Sequence, residues 1–328
     1  MRGWPGTVCL PACGILCALL APAGCVEPCP EKIADLDRLV AAYNANADAV
    51  PRLWARAKLS VAIEAEDAGA FTWRSGDPTC LLLLAKGPGR LGPCDFVLLG
   101  RESAAMELFR VGSSTSQGLY YFWYRFGSRA GAWVGRLDLA GAPGALRLPM
   151  DPTQLVSLLA VTPMPSDQTK LPAVALSMQD TPGECAYVVT LLDRQPVTGR
   201  VMFRRELLFH WTDAEPRRPY KVRLFDAAGR RVMTANLSNY RPIDVSSLDD
   251  PPAVSPLMPT DIEVVCHRTP AQKTYVERIR LVLSEMTAED KWDRSACDFH
   301  PPAGVAPVRV DSPPTTAQTA PSRGGPAR

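Results

Sequence analysis

The chemistry-bearing side chains of this 328-residue sequence are few and scattered. Of its three histidines, His210 stands between Phe209 and Trp211 in a strand-like run, His267 follows Cys266, and His300 borders a proline-rich end. Adjacent strand residues point to opposite faces, so Cys266 and His267 are poorly placed to act as nucleophile and base. Asp249-Asp250 and Glu289-Asp290 lie beside proline or at the end of a strand and read as surface turns, not as a paired acid and base. There is no G-x-S-x-G elbow, no H-E-x-x-H pair, no P-loop and no dinucleotide fingerprint. Gly87-Pro88-Gly89 is too short and too rich in proline to cradle a phosphate. These residues predict no catalysis and no cofactor.

The ten cysteines carry more information. Cys9, Cys13, Cys17 and Cys25 fall at the N-terminus, leaving Cys29, Cys80, Cys94, Cys185, Cys266 and Cys297 spread along the rest. No C-x-x-C occurs beyond Cys25 and no cysteine clusters with histidine at zinc spacing, so no metal site is expected. Six spread thiols in an exported chain permit disulfides in any of 15 connectivities. Cys80 and Cys94 flank the turn-rich stretch 86–93, which makes a local bridge between them the favoured pair.

Net charge is +2, with 21% charged residues and no block of like charge. That balance gives no electrostatic reason to expect a nucleic-acid partner. Ahead of Cys25 stand Arg2, an apolar run from Val8 to Leu20, and the small residues Ala21, Ala23 and Gly24. These are the parts of a secretory signal, and the run is shorter than the ~20 residues a spanning helix needs. The end of the run resembles the lipobox of bacterial lipoproteins, with Pro22 where an aliphatic residue is usual. The resemblance implies cleavage after residue 24, lipidation of Cys25 and a membrane anchor of two or three acyl chains. Ordinary cleavage near Ala23 or Gly24, leaving a plain thiol, and an uncleaved short anchor remain open alternatives.

The elements that would carry these residues can be read from periodicity. From Pro30 to Val50, Ile33, Leu36, Leu39, Val40, Tyr43, Ala47 and Val50 recur at helical steps, and Pro51 stops the helix. Leu53 to Glu64 alternates strictly, the signature of a strand with one buried face. Short strands follow at 70–74, 80–86, 95–100, 106–111 and 119–126, with Gly and Ser clusters at 87–93, 112–118 and 127–131 between them. Asp151-Pro152 opens a second helix running to Val161. Strands resume at 185–193, 200–213, 220–225, 230–240, 262–265 and 274–284, and Asp226-Ala227-Ala228-Gly229 reads as a hairpin turn. From Pro301 onward Pro, Ala, Thr, Ser and Arg dominate, which predicts a disordered tail over 301–328. The expected organisation is a signal at 1–24, one domain over 25–300, and the tail.

The order of helix, strand meander, helix and second meander behind a lipobox is similar to the lipoprotein-carrier superfamily of LolA and LolB. The likeness rests on Leu53–Val61 after the first helix, on Asp151–Leu159, and on Arg218–Asp226 returning through Val232 to Tyr240. It implies an α+β fold, a strongly curved antiparallel sheet (an incomplete β-barrel) with helices covering the concave side. It also implies an apolar cavity for acyl chains or lipoproteins. Val26 is not the aspartate that retains some lipoproteins on the inner membrane, so the family analogy favours the outer membrane facing the periplasm. Leu155, Val156, Leu158 and Leu159 of the second helix, with Tyr121 and Trp123 of the aromatic strand, are the residues expected to meet such a ligand. Core packing accounts for the same apolar pattern, and a structural or assembly lipoprotein without ligand is the competing expectation.

Overall fold

A computed structural model describes residues 29, 35–65, 69–76, 79–87, 94–103, 106–140, 148–181, 184–194, 199–211, 218–248, 251–252, 254–267, 273–289 and 292–311. Helix α1 (Leu36–Asp48) leads into β1 (Arg52–Ala65), β2 (Gly69–Arg74), β3 (Cys80–Lys86), β4 (Cys94–Ser103), β5 (Met106–Ser114), β6 (Leu119–Phe126) and β7 (Arg129–Arg136). Helix α2 (Pro152–Leu158) precedes β8 (Ala173–Thr181), β9 (Glu184–Arg194), β10 (Val201–His210), β11 (Lys221–Phe225), β12 (Arg231–Pro242), β13 (Leu257–Cys266) and β14 (Thr274–Thr287). A final two-residue strand, β15 (Val308–Arg309), closes the order.

Strand β1 is the hub. Its alternation buries Leu53, Ala55, Ala57, Leu59, Val61 and Ile63 on one face. One edge pairs with β14 along most of its length, and the other is shared by β3 over Arg52–Ala57 and β2 over Ser60–Ala65. The sheet then runs from β3 through β4, β5, β6 and β7 to β15, and from β14 through β13, β12, β11, β10 and β9 to β8. Every pairing is antiparallel except that of β15 with β7.

The sheet is strongly curved. Helix α2 touches β4, β5 and β6 and also β11, which stands eight strand positions from β6. At ~4.8 Å per strand those positions would lie roughly 38 Å apart in a flat sheet. A seven-residue helix is only about 10 Å long, so the two arms must curl toward it. One continuous apolar cluster joins the inner face of both arms to the buried side chains of α1 and α2.

Local chemistry shifts both helix ends from the sequence reading. The Asp35 carboxylate accepts from the backbone N–H of Asp37 and Arg38 while its own backbone is extended, so α1 starts at Leu36; positions 30–34 of the expected helix lie outside the described residues. Helix α2 stops at Leu158 because Ala160 takes a left-handed φ of 57° just past the C-cap Leu159. Strands β7 and β8 were not expected. Gly131 and Gly135 dilute the β7 pattern, yet a Cβ there would strike the rings of Trp133 and Tyr120.

The favoured Cys80–Cys94 bridge is absent, and both are free thiols. In the β3–β4 register Cys94 faces Lys86, whereas Cys80 lies at the far end of β3. Six residues of strand separate them, roughly 20 Å. The bond that forms is Cys29–Cys185, with Cα atoms 5.7 Å apart across 156 residues of sequence.

Order also continues past residue 300. Residues 301–311, assigned by composition to the loose tail, carry β15 and the fully buried Val310. Two apolar side chains among prolines dock this segment: Val305, against the outer cluster of Tyr121 and Trp123, and Val310, in the inner cluster.

Candidate functional site

The second helix is the element on which a ligand site would depend. Asp151 caps it, its carboxylate accepting from the Thr153 N–H at 2.8 Å and hydroxyl at 2.7 Å, with Pro152 in the first turn. Leu155, Leu158 and Leu159 are fully buried and Val156 nearly so, and all four join the inner cluster. The structure thus brings these four predicted residues together against both arms of the sheet, as packed core.

Beneath the helix lies Arg205 of β10, only 3% exposed. Arg205 points inward by alternation with Leu207 and Phe209, and the bulge between Phe203 and Arg205 leaves Phe203 exposed instead. Its guanidinium donates to the carbonyls of Ser157 at 3.5 Å and Thr162 at 3.3 Å. Nε has no partner among the described residues. A guanidinium held here without a carboxylate costs several kcal/mol of desolvation, offset in part by the negative end of α2. The Thr162 carbonyl also accepts from the Tyr43 hydroxyl at 2.9 Å. Burial pushes that hydroxyl's pKa up, and the Arg205 charge pulls it back. Charge alone makes Arg204-Arg205 read as a solvated strand face, but Arg205 shares the buried phase of Leu207 and Phe209.

Helix α1 is fixed by amide side chains acting as stand-in backbone. Asn44 accepts from the Met164 N–H at 2.7 Å and donates to its carbonyl at 2.9 Å. Asn46 makes the same pair of bonds to Leu257 at the start of β13. Lys86 donates to the Ala47 carbonyl at the C-terminal end of α1. The first pair also ties α1 to the segment trailing α2, so the two helices are linked by hydrogen bonds as well as by packing.

Tyr121 and Trp123 fall elsewhere. Along β6, Tyr120, Phe122 and Tyr124 join the inner cluster, while Tyr121 and Trp123 face the opposite side with Ala132, Val134, Phe299 and Val305. Residues 292–305 cross that outer face as a strap. Cys297 packs on Leu83, Val97 and Leu99, and the Phe299 ring lies 5.1 Å from that of Tyr121. Arg110 donates to the carbonyls of Ala296 and Asp298, and the Asp298 carboxylate accepts from Ser114 at 2.7 Å and Ser116 at 2.9 Å. Tyr121 and Trp123 are therefore separated by the sheet from the α2 residues with which they were grouped.

Cys25 lies outside the described residues. Cys29, four positions later, is anchored to β9 by the disulfide. His210 stacks on Tyr220 with ring centroids 4.2 Å apart, and His300 contacts the Asp298 carbonyl. Among the described residues no three His, Cys, Asp or Glu side chains converge on a metal position. One open depression of ≈ 820 Å³ lies beside Gln117, Arg136 and Arg309, and another of ≈ 410 Å³ beside Arg241, Asp261 and Glu285. Both lack any residue of α2.

Fold and site together describe an open, curved antiparallel sheet around two linked helices. No family model and no curated protein matches the chain. Among solved structures it is similar to a LolA superfamily protein from Nitrosomonas europaea, at 14% identity and a TM-score of 0.42 over 80% of this chain and 97% of that one. It is also similar to a putative outer membrane lipoprotein-sorting protein domain from Vibrio parahaemolyticus, at 10% identity and a TM-score of 0.43 over 80% and 95%. A DUF1329 family protein from Desulfovibrio piger matches at 13% and 0.40 over 80% and 98%. At these scores the likeness is one of general trace.

Proposed function

We propose that this chain is an envelope lipoprotein, anchored through a lipidated Cys25, that binds or passes an acylated ligand on the apolar inner face of its half-barrel. The observation that carries the reading is the position of α2. This short helix turns Leu155, Val156 and Leu158 inward and touches strands of both arms of the sheet. Moving it aside would bare an apolar wall of Phe96, Leu98, Phe109, Val111, Phe122, Leu207 and Val222. Such a wall suits acyl chains and offers no chemistry to a substrate, so the protein acts by binding.

Export fits the disulfide, which needs an oxidising compartment to persist. The link from Cys25 to Cys29 spans at most about 14 Å when extended, so the anchor would hold the β9 end of the sheet close to the membrane. In the outer membrane this would face the domain toward the periplasm.

A second reading keeps the anchor but uses the fold as a platform for protein partners. It is favoured by the complete burial of Leu155, Leu158 and Leu159, which marks a filled interior, and by the exposure of Phe203 and Val201. Native mass spectrometry of the chain from residue 25 onward, carrying Cys25→Ser, separates the two. A co-purified acylated species, or uptake of added fatty acid or phospholipid, supports carriage. A clean apo mass with no uptake moves the conclusion to the platform.

A further inference from the structure

The C-terminal segment completes a depression that holds no residue of α2. Strand β15 runs parallel to β7 with Arg309 beside Val134, which brings Arg309 to the end of β7 where Arg136 stands. Both arginines line the open volume of ≈ 820 Å³, with Asp138 and Gln117 beside them and Leu119 and Leu137 as its apolar part. Three of these side chains are held by one edge and unused on the other. Arg136 gives Nε and Nη2 to the Asp138 carboxylate at 3.0 and 2.6 Å. Arg309 gives the same two nitrogens to Asp311 at 3.0 and 2.7 Å. The Asp311 side chain is only 4% exposed and also accepts from the Arg136 backbone N–H at 3.2 Å, so one carboxylate ties both strands. The Gln117 side-chain oxygen accepts from the Phe299 N–H at 2.8 Å, which fixes its amide. What is left over is donor alone. Nη1 of each arginine and Nε2 of Gln117 have no partner among the described residues. Two guanidinium groups against the single Asp138 carboxylate leave positive charge in excess along the lining.

We propose that this depression binds a phosphate ester. Nη1 of Arg136 and of Arg309 share its anionic oxygens, Gln117 donates beside them, and the ester carbons lie against Leu119 and Leu137. Guanidinium groups suit phosphate oxygens in charge and in geometry. Side chains already held by their own carboxylates lose little freedom when the ligand arrives, as with ligands oriented by an outer shell. Antiparallel pairing from β7 to β9 alternates the strand ends, so Arg136 and the Cys185 bridge lie at the same end of the sheet. A lipidated Cys25 would hold that end near a bilayer, which makes a phospholipid headgroup one source of the ester and a soluble phosphate ester the other. Tethering raises the effective concentration of a headgroup, so a weak site suffices for the first.

The test is isothermal titration of the chain from residue 25 onward, carrying Cys25→Ser, with glycerol phosphate at low salt. The expected result is a single site with Kd of about 1 mM or tighter. Arg136→Gln and Arg309→Gln should each weaken it about tenfold, the loss of one charge-assisted hydrogen bond, with the melting curve retained. Should the Arg309 variant loosen β15, Arg136→Gln on β7 decides alone. Co-sedimentation with phosphatidylglycerol vesicles that Arg136→Gln abolishes supports the site with the headgroup as its source. Titration heat without vesicle binding supports it with a soluble ester. Absence of binding overturns the proposal, and so does binding unchanged in a well-folded Arg136→Gln. The probe carries no acyl chain, so its failure is distinct from a failure of carriage on the inner face.

Discussion

The hydroxyl of Tyr121 donates to the backbone carbonyl of Cys297 at 2.7 Å, joining β6 to a residue 176 positions further along the chain. Both groups are buried, which holds the Tyr121 hydroxyl well above the usual phenol range. Tyr121→Phe keeps the ring and leaves the Cys297 carbonyl without its donor. An unpaired buried acceptor costs about 1–3 kcal/mol, and urea unfolding should show a loss of that size. A loss below a few tenths of a kcal/mol would mean that the strap is not held here.

The disulfide offers a second measurement. Cross-linking residues 156 apart removes much of the freedom of the unfolded chain, and Cys185→Ser should lower stability by about 2–5 kcal/mol. Non-reducing peptide mapping should join Cys29 to Cys185 and leave Cys80 and Cys94 unlinked. A Cys80–Cys94 peptide would contradict the β3–β4 register.

Arg205 allows charge and shape to be separated. Arg205→Met fills similar space, removes a cation that has no counter-ion among the described residues, and gives up only two long hydrogen bonds. Replacing a buried charge by a packed apolar group is often neutral or stabilising, so global stability should stay within ~1 kcal/mol or rise. Hydrogen exchange over 157–164 should quicken, because the end of α2 loses its tether. A large global loss with unchanged exchange would show that Arg205 supports the barrel, not the helix.

Lys86 sets an alkaline signature. Burial lowers its pKa to about 8 against the raising charges of Asp48 and Cys94. Between that value and the ordinary 10.5, the unfolded chain keeps a proton that the folded protein has released. Stability from this group therefore rises with pH across the window, and its full cost is felt below about 8. Burial first, then the Asp95 charge, raises the Cys94 thiol to about 11, which acts in the opposite sense above the ordinary 9.0. Denaturant titrations of wild type and Lys86→Met isolate the lysine. The difference, wild type minus variant, should grow from pH 8 to pH 10.5, and a flat difference would place Lys86 in solvent.

Much of the fold could be read from residue order where one face is wet. The strict alternation of β1 marked both its extent and its buried side, and the leucines of α2 were recognised together. The reading failed where both faces are covered. In β6 every residue from Tyr120 to Tyr124 is aromatic, so no polar partner revealed that Tyr121 and Trp123 look away from Phe122. The strap failed for a related reason. Its docking residues are spaced by prolines and small side chains, and average composition hides anchors that matter one at a time. Arg205 stands in phase with Leu207 and Phe209 but its charge argues for solvent, and the Cys29 partner depends on a contact 156 residues away, which periodicity cannot report.

The placement of β1 has a consequence for how the chain is made. Its long edge is satisfied by β14, so Arg56 waits for Ser284 and Val61 for Ile279. Until residues 274–287 have emerged, the strand with the most fully buried face has one side bare. Such late, non-local closure slows folding and leaves intermediates with exposed edges. A truncated or stalled product would be a sticky ribbon, because the middle of the finished sheet is its margin for most of synthesis.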